Sequence, residues 1–416
     1  MKKVDFIVLG AGIVGAATAF GLLRRGRSVA LVDRSTPGNA TSYGNAGILE
    51  SNSYLPISFP REATQLLRYA SNRAPEAHYH FSHLPKSAPW LLALREQSDQ
   101  QARTHFFSAM LPLLTQLVDA HYELARHTGT AALYRHTGVL RLYASEKGFA
   151  GAAQQLAFAD QAGTRYQVLD DNAVRELEPH LIRRVHRGIL WPESHTVSNP
   201  GRISAAIAEC VAANGGVLVQ ADAKNLQRDG DQWQLAGGDG GVCAPQLVVA
   251  LGPWSKELLG RFGYDFPLAS VRGYHTHLSG AAGASLTRPV VDMEKGFVLS
   301  PMQQGYRLTS AYEFAALDSP PTPVQIDRLL PAARKLFPLG DEIDSNRWVG
   351  SRPCFPDTLP LIDRSERHEG LWFNFGHSYL GFSLGPLCGE LLAARMCDEP
   401  DTLDLAPFSA RRFSAT

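Results

Sequence analysis

Apolar runs of two kinds alternate along the start of the chain. A short run at 6–9 (FIVL) leads into Gly10, Gly12 and Gly15. A longer stretch of small and apolar residues follows, and a second short run at 29–32 (VALV) ends on Asp33. Short continuous apolar runs bounded by glycine or charge read as buried strands, and the longer stretch between them reads as a helix. Residues 34–60 are rich in Gly, Ser, Asn and Pro and read as a long ordered loop. From about 61 to 128 the apolar spacing turns helical, as in LLRYAS and MLPLLTQLVDAHYELARH, and Gly129 closes the helix.

The pattern returns to strands further on. GVLRLYAS from Gly138 reads as a strand, and YQVLDD followed by AVRELEP reads as a strand leading to a short helix. Pro200 suits a first helical position. Ile203, Ile207, Cys210 and Val211 then share one face, Gly215 and Gly216 end the helix, and VLVQ continues as a strand. QLVVALGPWS reads as an apolar strand ending on Gly252, covered on both faces as in a parallel sheet. Residues 271–312 (VRGYHTHL, GFVLSP, YRLTSAY) predict an antiparallel sheet, and LWFNFGHSYLGFSLGPLCGELLAARM predicts strand, glycine-punctuated loop and helix.

The first 33 residues point to dinucleotide binding. Gly10 permits a tight turn, Gly12 lets the backbone approach a pyrophosphate, and Gly15 lets the helix sit close on the strand. The helix amides then face phosphate. Asp33 sits where a carboxylate accepts the hydroxyls of an adenosine ribose. The fold expectation is therefore α/β. A Rossmann-like nucleotide-binding domain (1–60, 190–265 and 345–416) is joined by a second α+β domain on a mostly antiparallel sheet (61–189 and 266–344). A ligand's reactive part then falls between the two.

Composition narrows the partners. The chain has 416 residues, and its 40 Lys and Arg balance its 40 Asp and Glu. With no polybasic run, nucleic acid is not an expected partner. No apolar stretch is long enough to span a bilayer, which leaves peripheral membrane contact open. Lys2 and Lys3 before an apolar run imitate a signal peptide, but Asp5 interrupts the run and no small-residue cleavage site follows. A cytoplasmic protein is expected, with contact at the inner face of the membrane left open. The five cysteines form no CxxC pair and suit a reducing compartment. Histidines cluster at His78, His80 and His83 and at His275 and His277, without a nearby acid at ligand spacing, so no metal is expected.

Several segments together resemble the FAD-dependent D-amino-acid oxidase superfamily, nearest its D-amino-acid dehydrogenase branch and relatives acting on cyclic imino acids. They are the N-terminal fingerprint, TSYGNAGIL at 41–49, VVALGPWS at 248–255, VRGYH at 271–275, GSRPCFPDTLPLID from Gly350, and FGHSYLGFSLGP from Phe375. The resemblance covers nearly the whole length.

It implies FAD held by Gly10, Gly12, Ile13, Val14, Gly15, Asp33 and Arg34. Ser42, Asn45, Ala46, Gly47 and Ile48 would lie against the pyrophosphate and flavin ring. Ala223 or its neighbour Lys224 would flank the adenine, with Ala250, Gly252 and Trp254 near the dinucleotide and Gly381, Phe382 and Ser383 at the pyrimidine end. Arg352, in GSRP, occupies the place of the arginine that grips the substrate carboxylate, since guanidinium matches carboxylate bidentately.

Relatives often carry a tyrosine three residues before a strand-ending proline. Here Val298 stands there before Pro301, with Phe297 beside it, so the hydroxyl has to come from Tyr274 or Tyr312. His377 either approaches the ring or is structural. The expected pocket is apolar, built from Phe297, Val298, Tyr274, Tyr312, Tyr379 and Phe382, with Arg352, Tyr274 and His377 as catalytic candidates. Cys354 follows Arg352 instead of preceding it, so non-covalent FAD is expected.

The implied activity is oxidation of the C–N bond of a D-amino acid or cyclic imino acid such as D-proline. Oxygen or a respiratory quinone or carrier would take the electrons. Oxidation of sarcosine, glycine or L-configured secondary amines, a role as the FAD subunit of a larger complex, and NAD in place of FAD stand as alternatives.

Overall fold

The computed structural model describes residues 1–60, 62–237, 240–281 and 283–413. The first apolar run is the fully buried strand Phe6–Leu9, at the centre of a six-stranded sheet. In order across the sheet stand Val217–Gln220, Val29–Asp33, Phe6–Leu9, Gln246–Val249, Leu371–Phe375 and Leu361–Arg364. Every pairing is parallel except the last.

The alternation of the pleat sends Phe6 and Val8 to one face and Ile7 and Leu9 to the other. On the first face, helices Ile13–Arg24, Pro200–Ala213 and Gly381–Met396 bury Ile13, Phe20, Ile207 and Leu384 in one core. The opposite face packs on a four-stranded sheet through Trp233, Leu235 and Val242. Both faces are therefore dry, which is why these strands are unbroken apolar runs.

The larger sheet has eleven strands. Its long strand Ala269–Gly280 pairs antiparallel with Gly305–Thr309, Tyr312–Phe314, Leu339–Glu342 and Trp348–Cys354. Phe297–Met302 continues it through Gly305–Thr309, and Val139–Tyr143, Arg187–Trp191 and Gln167–Leu169 extend it beyond Val290–Asp292. Leu140, Val290, Phe297, Leu299, Leu308 and Phe337 form its core. Each such side chain, fully buried, contributes about 1.5–3 kcal/mol.

Two segments cross the boundaries expected from sequence. Trp348–Cys354, assigned by sequence to the nucleotide-binding part, is a strand of the larger sheet, because Val271 to His275 offer it an edge in register from Arg352 to Trp348. Helix Gln100–Thr128, assigned to the other part, packs against Gly381–Met396 and Pro200–Ala213. Its apolar stripe of Phe106, Phe107, Met110, Leu113, Leu114 and Leu117 joins their core. Asp99 caps it by accepting from the Ala102 amide at 2.7 Å, and Gly129 ends it at φ 64°. Among the described residues no helix is long and apolar enough to cross a membrane.

Candidate active site

A cavity opens beyond the carboxyl ends of Phe6–Leu9 and Val29–Asp33 and reaches the larger sheet. It runs from the glycine turn at Gly10 to Arg352 on the far strand, a length that suits an extended ligand. Its position is the one where open α/β sheets bind ligands.

At one end lie Gly10, Gly12, Ile13, Val14, Asp33 and Arg34. Gly10 has φ 103°, and a Cβ there would stand 2.4 Å from the Ala250 carbonyl oxygen. Gly15 does not line the cavity. A Cβ on it would meet the Gly10 carbonyl at 1.9 Å, so it serves helix–strand contact. Asp33 accepts from the Ala11 amide through Oδ2 at 2.8 Å and from the Ser35 amide through Oδ1 at 2.9 Å. Each oxygen keeps further acceptor capacity. Ala223, Lys224, Ala250, Gly252 and Trp254 line the same end. Lys224 pairs with Glu257 at 3.1 Å, and the Arg34 guanidinium lies 4.5 Å from the Trp254 ring.

The loop that follows Asp33 walls the middle of the cavity with Ala40, Thr41, Ser42, Gly44 and Asn45. Ser42 Oγ accepts from the Ile13 amide at 3.1 Å, which ties this wall to the helix start. Ala46, Gly47, Ile48 and Ser383 do not line the cavity, contrary to expectation. The Ala46 carbonyl accepts from Ser300 at 2.6 Å, and Gly47 packs on Met302. Ile48 bridges to Thr196, and Ser383 Oγ accepts from the Glu50 amide at 3.0 Å. These contacts turn the four residues away from the opening, where they brace it.

At the other end the pattern is different. Arg352 lines the cavity beside Gly273, where a Cβ would stand 2.5 Å from its Nη2. Among the described residues its guanidinium donates only to the backbone carbonyls of Arg272 (3.2 Å), Ala311 (2.8 Å) and Ser310 (3.2 Å). Tyr312 does not line the cavity. Its ring lies 5.5 Å from Arg352 Cζ and supports the guanidinium from behind. Among the described residues no carboxylate pairs with Arg352, so a positive charge faces the cavity without a counter-ion.

Tyr274 reaches the cavity wall, but its hydroxyl is already engaged. It donates to Glu313 at 2.7 Å and accepts from the Thr322 amide at 2.9 Å and from Arg272 at 2.5 Å. A phenol has one donor and two acceptor positions, and all are used. The expected role of Tyr274 as a hydroxyl for a ligand is therefore not supported.

Phe297 points into the core of the larger sheet at 1% exposed. Successive strand residues face opposite sides, so Phe297 and Val298 cannot both meet the cavity. Val298 pairs with Thr309, which does line it, while Val298 itself does not. Tyr379, Phe382 and Gly381 line the cavity at the start of helix Gly381–Met396, and His377 joins them. Burial pushes the His377 imidazole down to about 3, which keeps it neutral.

Four buried polar atoms on the cavity wall have no hydrogen-bond partner among the described residues. They are Trp254 Nε1, Thr309 Oγ1, Asn374 Oδ1 and His377 Nε2. Buried polar groups are paired in the great majority of cases, so unpartnered atoms on residues that line a cavity are consistent with a ligand there. Donors and acceptors are mixed along the wall, as an extended dinucleotide with a polar ring requires. The residues present fit FAD.

Sequence reasoning missed Gly273, Thr309, Trp348 and Asn374. Trp348 is held between Gly44 and Gly350, at each of which a Cβ would lie 2.0 Å from its ring, and it stacks on His275 at 4.8 Å. GSRP and VRGYH pointed to the right strands, but no local signal shows which neighbours cross to the opening.

The histidine clusters do acquire an acid in space, since the fold brings Glu313 to His78 and His80 and Asp344 to His275 and His277. An arginine engages one member of each. Arg272 pairs with Glu313 at 2.7 Å, and Arg307 donates to His277 Nε2 at 3.0 Å. Cys354 lies fully buried off the cavity wall, its thiol pushed up to about 12 by burial.

Comparison with known proteins accords with this geometry. The family model described as FAD dependent oxidoreductase (DAO) matches residues 5–395. A D-amino-acid oxidase of Bradyrhizobium diazoefficiens is 29% identical over 414 residues, 98% of each chain. A D-amino acid dehydrogenase of Rhizobium rhizogenes is 26% identical over 426 residues, 98% of this chain and 99% of that one. The crystal structure of glycine oxidase from Geobacillus kaustophilus superposes with a TM-score of 0.76 at 24% identity, covering 98% of both chains.

Proposed function

The chain belongs to the DAO family of FAD-dependent oxidoreductases, and from that premise we propose that it oxidises the C–N bond of a D-amino acid or a cyclic imino acid such as D-proline. The observation that carries this reading is Arg352, a cation on the cavity wall whose partners are backbone carbonyls alone. An unpaired guanidinium beside an apolar wall selects a carboxylate and orients it in two dimensions.

Bound FAD supplies the two-electron acceptor for hydride from the carbon that carries the nitrogen. The protein's part is to place that carbon. Arg352 holds the carboxylate, while Tyr379 and Phe382 close around an apolar or cyclic side chain. Neutral His377 offers a hydrogen bond without a charge. The start of helix Gly381–Met396 presents the positive end of its dipole where negative charge develops. As hydride leaves, the nitrogen lone pair forms the C=N bond. Water then hydrolyses an acyclic imine to keto acid and ammonia, and a cyclic imine persists. Cys354 lies off the wall and protonated, which supports non-covalent FAD. The names of the two curated relatives support D configuration.

The test is the absorbance of the flavin under anaerobic conditions with D-amino acids, L-amino acids, both prolines, glycine and sarcosine. Bleaching by D-amino acids or D-proline is expected, and admitting air then separates an oxidase from a dehydrogenase. Bleaching by L-amino acids, glycine or sarcosine alone overturns the reading.

A further inference from the structure

Strand Gly305–Thr309 carries Arg307 into the protein beneath the loop that walls the middle of the cavity. Arg307 is 2% exposed, and among the described residues its hydrogen-bond partners include no carboxylate. Its Nη1 donates to the carbonyls of Tyr43 and Asn45, both at 2.7 Å. The Tyr43 ring lies 5.1 Å from its Cζ. Its remaining contact is to a side chain, since Nε donates to His277 Nε2 at 3.0 Å. His277 Nδ1 in turn lies 2.8 Å from Asp344 Oδ2. A guanidinium can only donate, so His277 Nε2 must accept and Nδ1 must carry the proton given to Asp344. The donor–acceptor order is thus determined along the whole chain, from Asp344 to the carbonyls at the cavity wall.

We propose that Arg307, steered by neutral His277 and Asp344, is a positioning residue that holds the wall at 43–45 in shape for FAD, and that protonation of His277 releases it. An imidazolium presents N–H to N–H at that contact and adds a positive charge beside a guanidinium. The groups around His277 are Arg307 from the neighbouring strand, Asp344 from the segment beyond Leu339–Glu342, and His275 on its own strand at 5.1 Å. Glu342, further along, is taken by Thr276 and Arg347. Burial and Arg307 lower the His277 pKa, against the pull of Asp344, so release belongs to the acid side of the ordinary histidine range. The proposal rests on FAD occupying this cavity, and it is independent of which substrate the enzyme takes.

The experiment follows free-flavin fluorescence released from holoprotein between about pH 5 and pH 8, with circular dichroism recorded in parallel. His277→Gln keeps an acceptor for Arg307 and a donor for Asp344 but cannot titrate. Near pH 8 it should release flavin at the wild-type rate, and near pH 5 about tenfold more slowly than wild type, the equivalent of one charge-assisted hydrogen bond. Arg307→Met should release flavin about tenfold faster at every pH. If that variant does not fold, Arg307→Lys, which keeps the charge without the Nε donor, should fold and show a weakened acid response. Equal acid acceleration in wild type and His277→Gln overturns the proposal. So does a folded Arg307→Met protein that keeps its flavin as long as wild type.

Discussion

The Asp33 end and the Arg352 end of this single cavity are built by opposite means. At the Asp33 end the carboxylate is satisfied by amides of the same βαβ stretch and the loop after it, those of Ala11 and Ser35, and the cradle is made of backbone. At the Arg352 end a charge is held by carbonyls from Arg272, Ser310 and Ala311, brought together by strand pairing, and it is left without a counter-ion. The first construction makes a surface that any dinucleotide of the right shape can use. The second holds a charge ready for one chemical group. Arg272, one residue before Gly273 on the paired strand, shows the contrast within the larger sheet. Its charge is spent on Glu313 at 2.7 Å, so it is structural where Arg352 is available.

The largest effect is expected at the unpaired charge. Arg352→Ala should lower kcat/KM by about 10²–10⁴-fold, the cost of removing one partner of a buried charge pair, while the flavin spectrum stays intact. Near-normal kcat/KM in that variant would remove the asymmetry between the two ends.

At the other end, Gly15→Ala forces a Cβ to 1.9 Å from the Gly10 carbonyl. It should cost about 1–3 kcal/mol of stability, as overpacking does, and loosen FAD. Thermal unfolding with and without added FAD measures both.

Tyr274→Phe sharpens the comparison. It leaves Glu313 and Arg272 short of a partner and should destabilise by about 1–3 kcal/mol, with KM unchanged. A raised KM at unchanged stability would return the Tyr274 hydroxyl to the ligand.

The last effect is that of pH on stability. The unfolded chain protonates His121 and His377 near about 6.5, whereas the folded chain holds them down to about 4 and about 3 by burial. The unfolded state therefore binds more protons as pH falls through that window, and stability is lost on acidification. Denaturation midpoints for His121→Gln should show a shallower slope on the acid side. An unchanged slope would mean that His121 is not held neutral.

The sequence by itself determined the strand–turn–helix–strand unit at the nucleotide end. Gly10, Gly12 and Asp33 form a local unit whose turn, helix start and terminal carboxylate lie within one βαβ stretch, so spacing along the chain is also spacing in space. It likewise specified buried parallel strands through unbroken apolar runs, and the GSRP segment marked Arg352 through family resemblance. The tertiary structure alone decided which side of each pleat faces the opening. That placed Phe297 in the core, filled the hydroxyl of Tyr274, and carried Trp348–Cys354 into the larger sheet. It also brought Asp344 to His277 and Arg307 under the cavity wall. Those partners are far apart along the chain, and the energy that selects them is that of long-range strand register and buried hydrogen-bond satisfaction, which local periodicity does not encode.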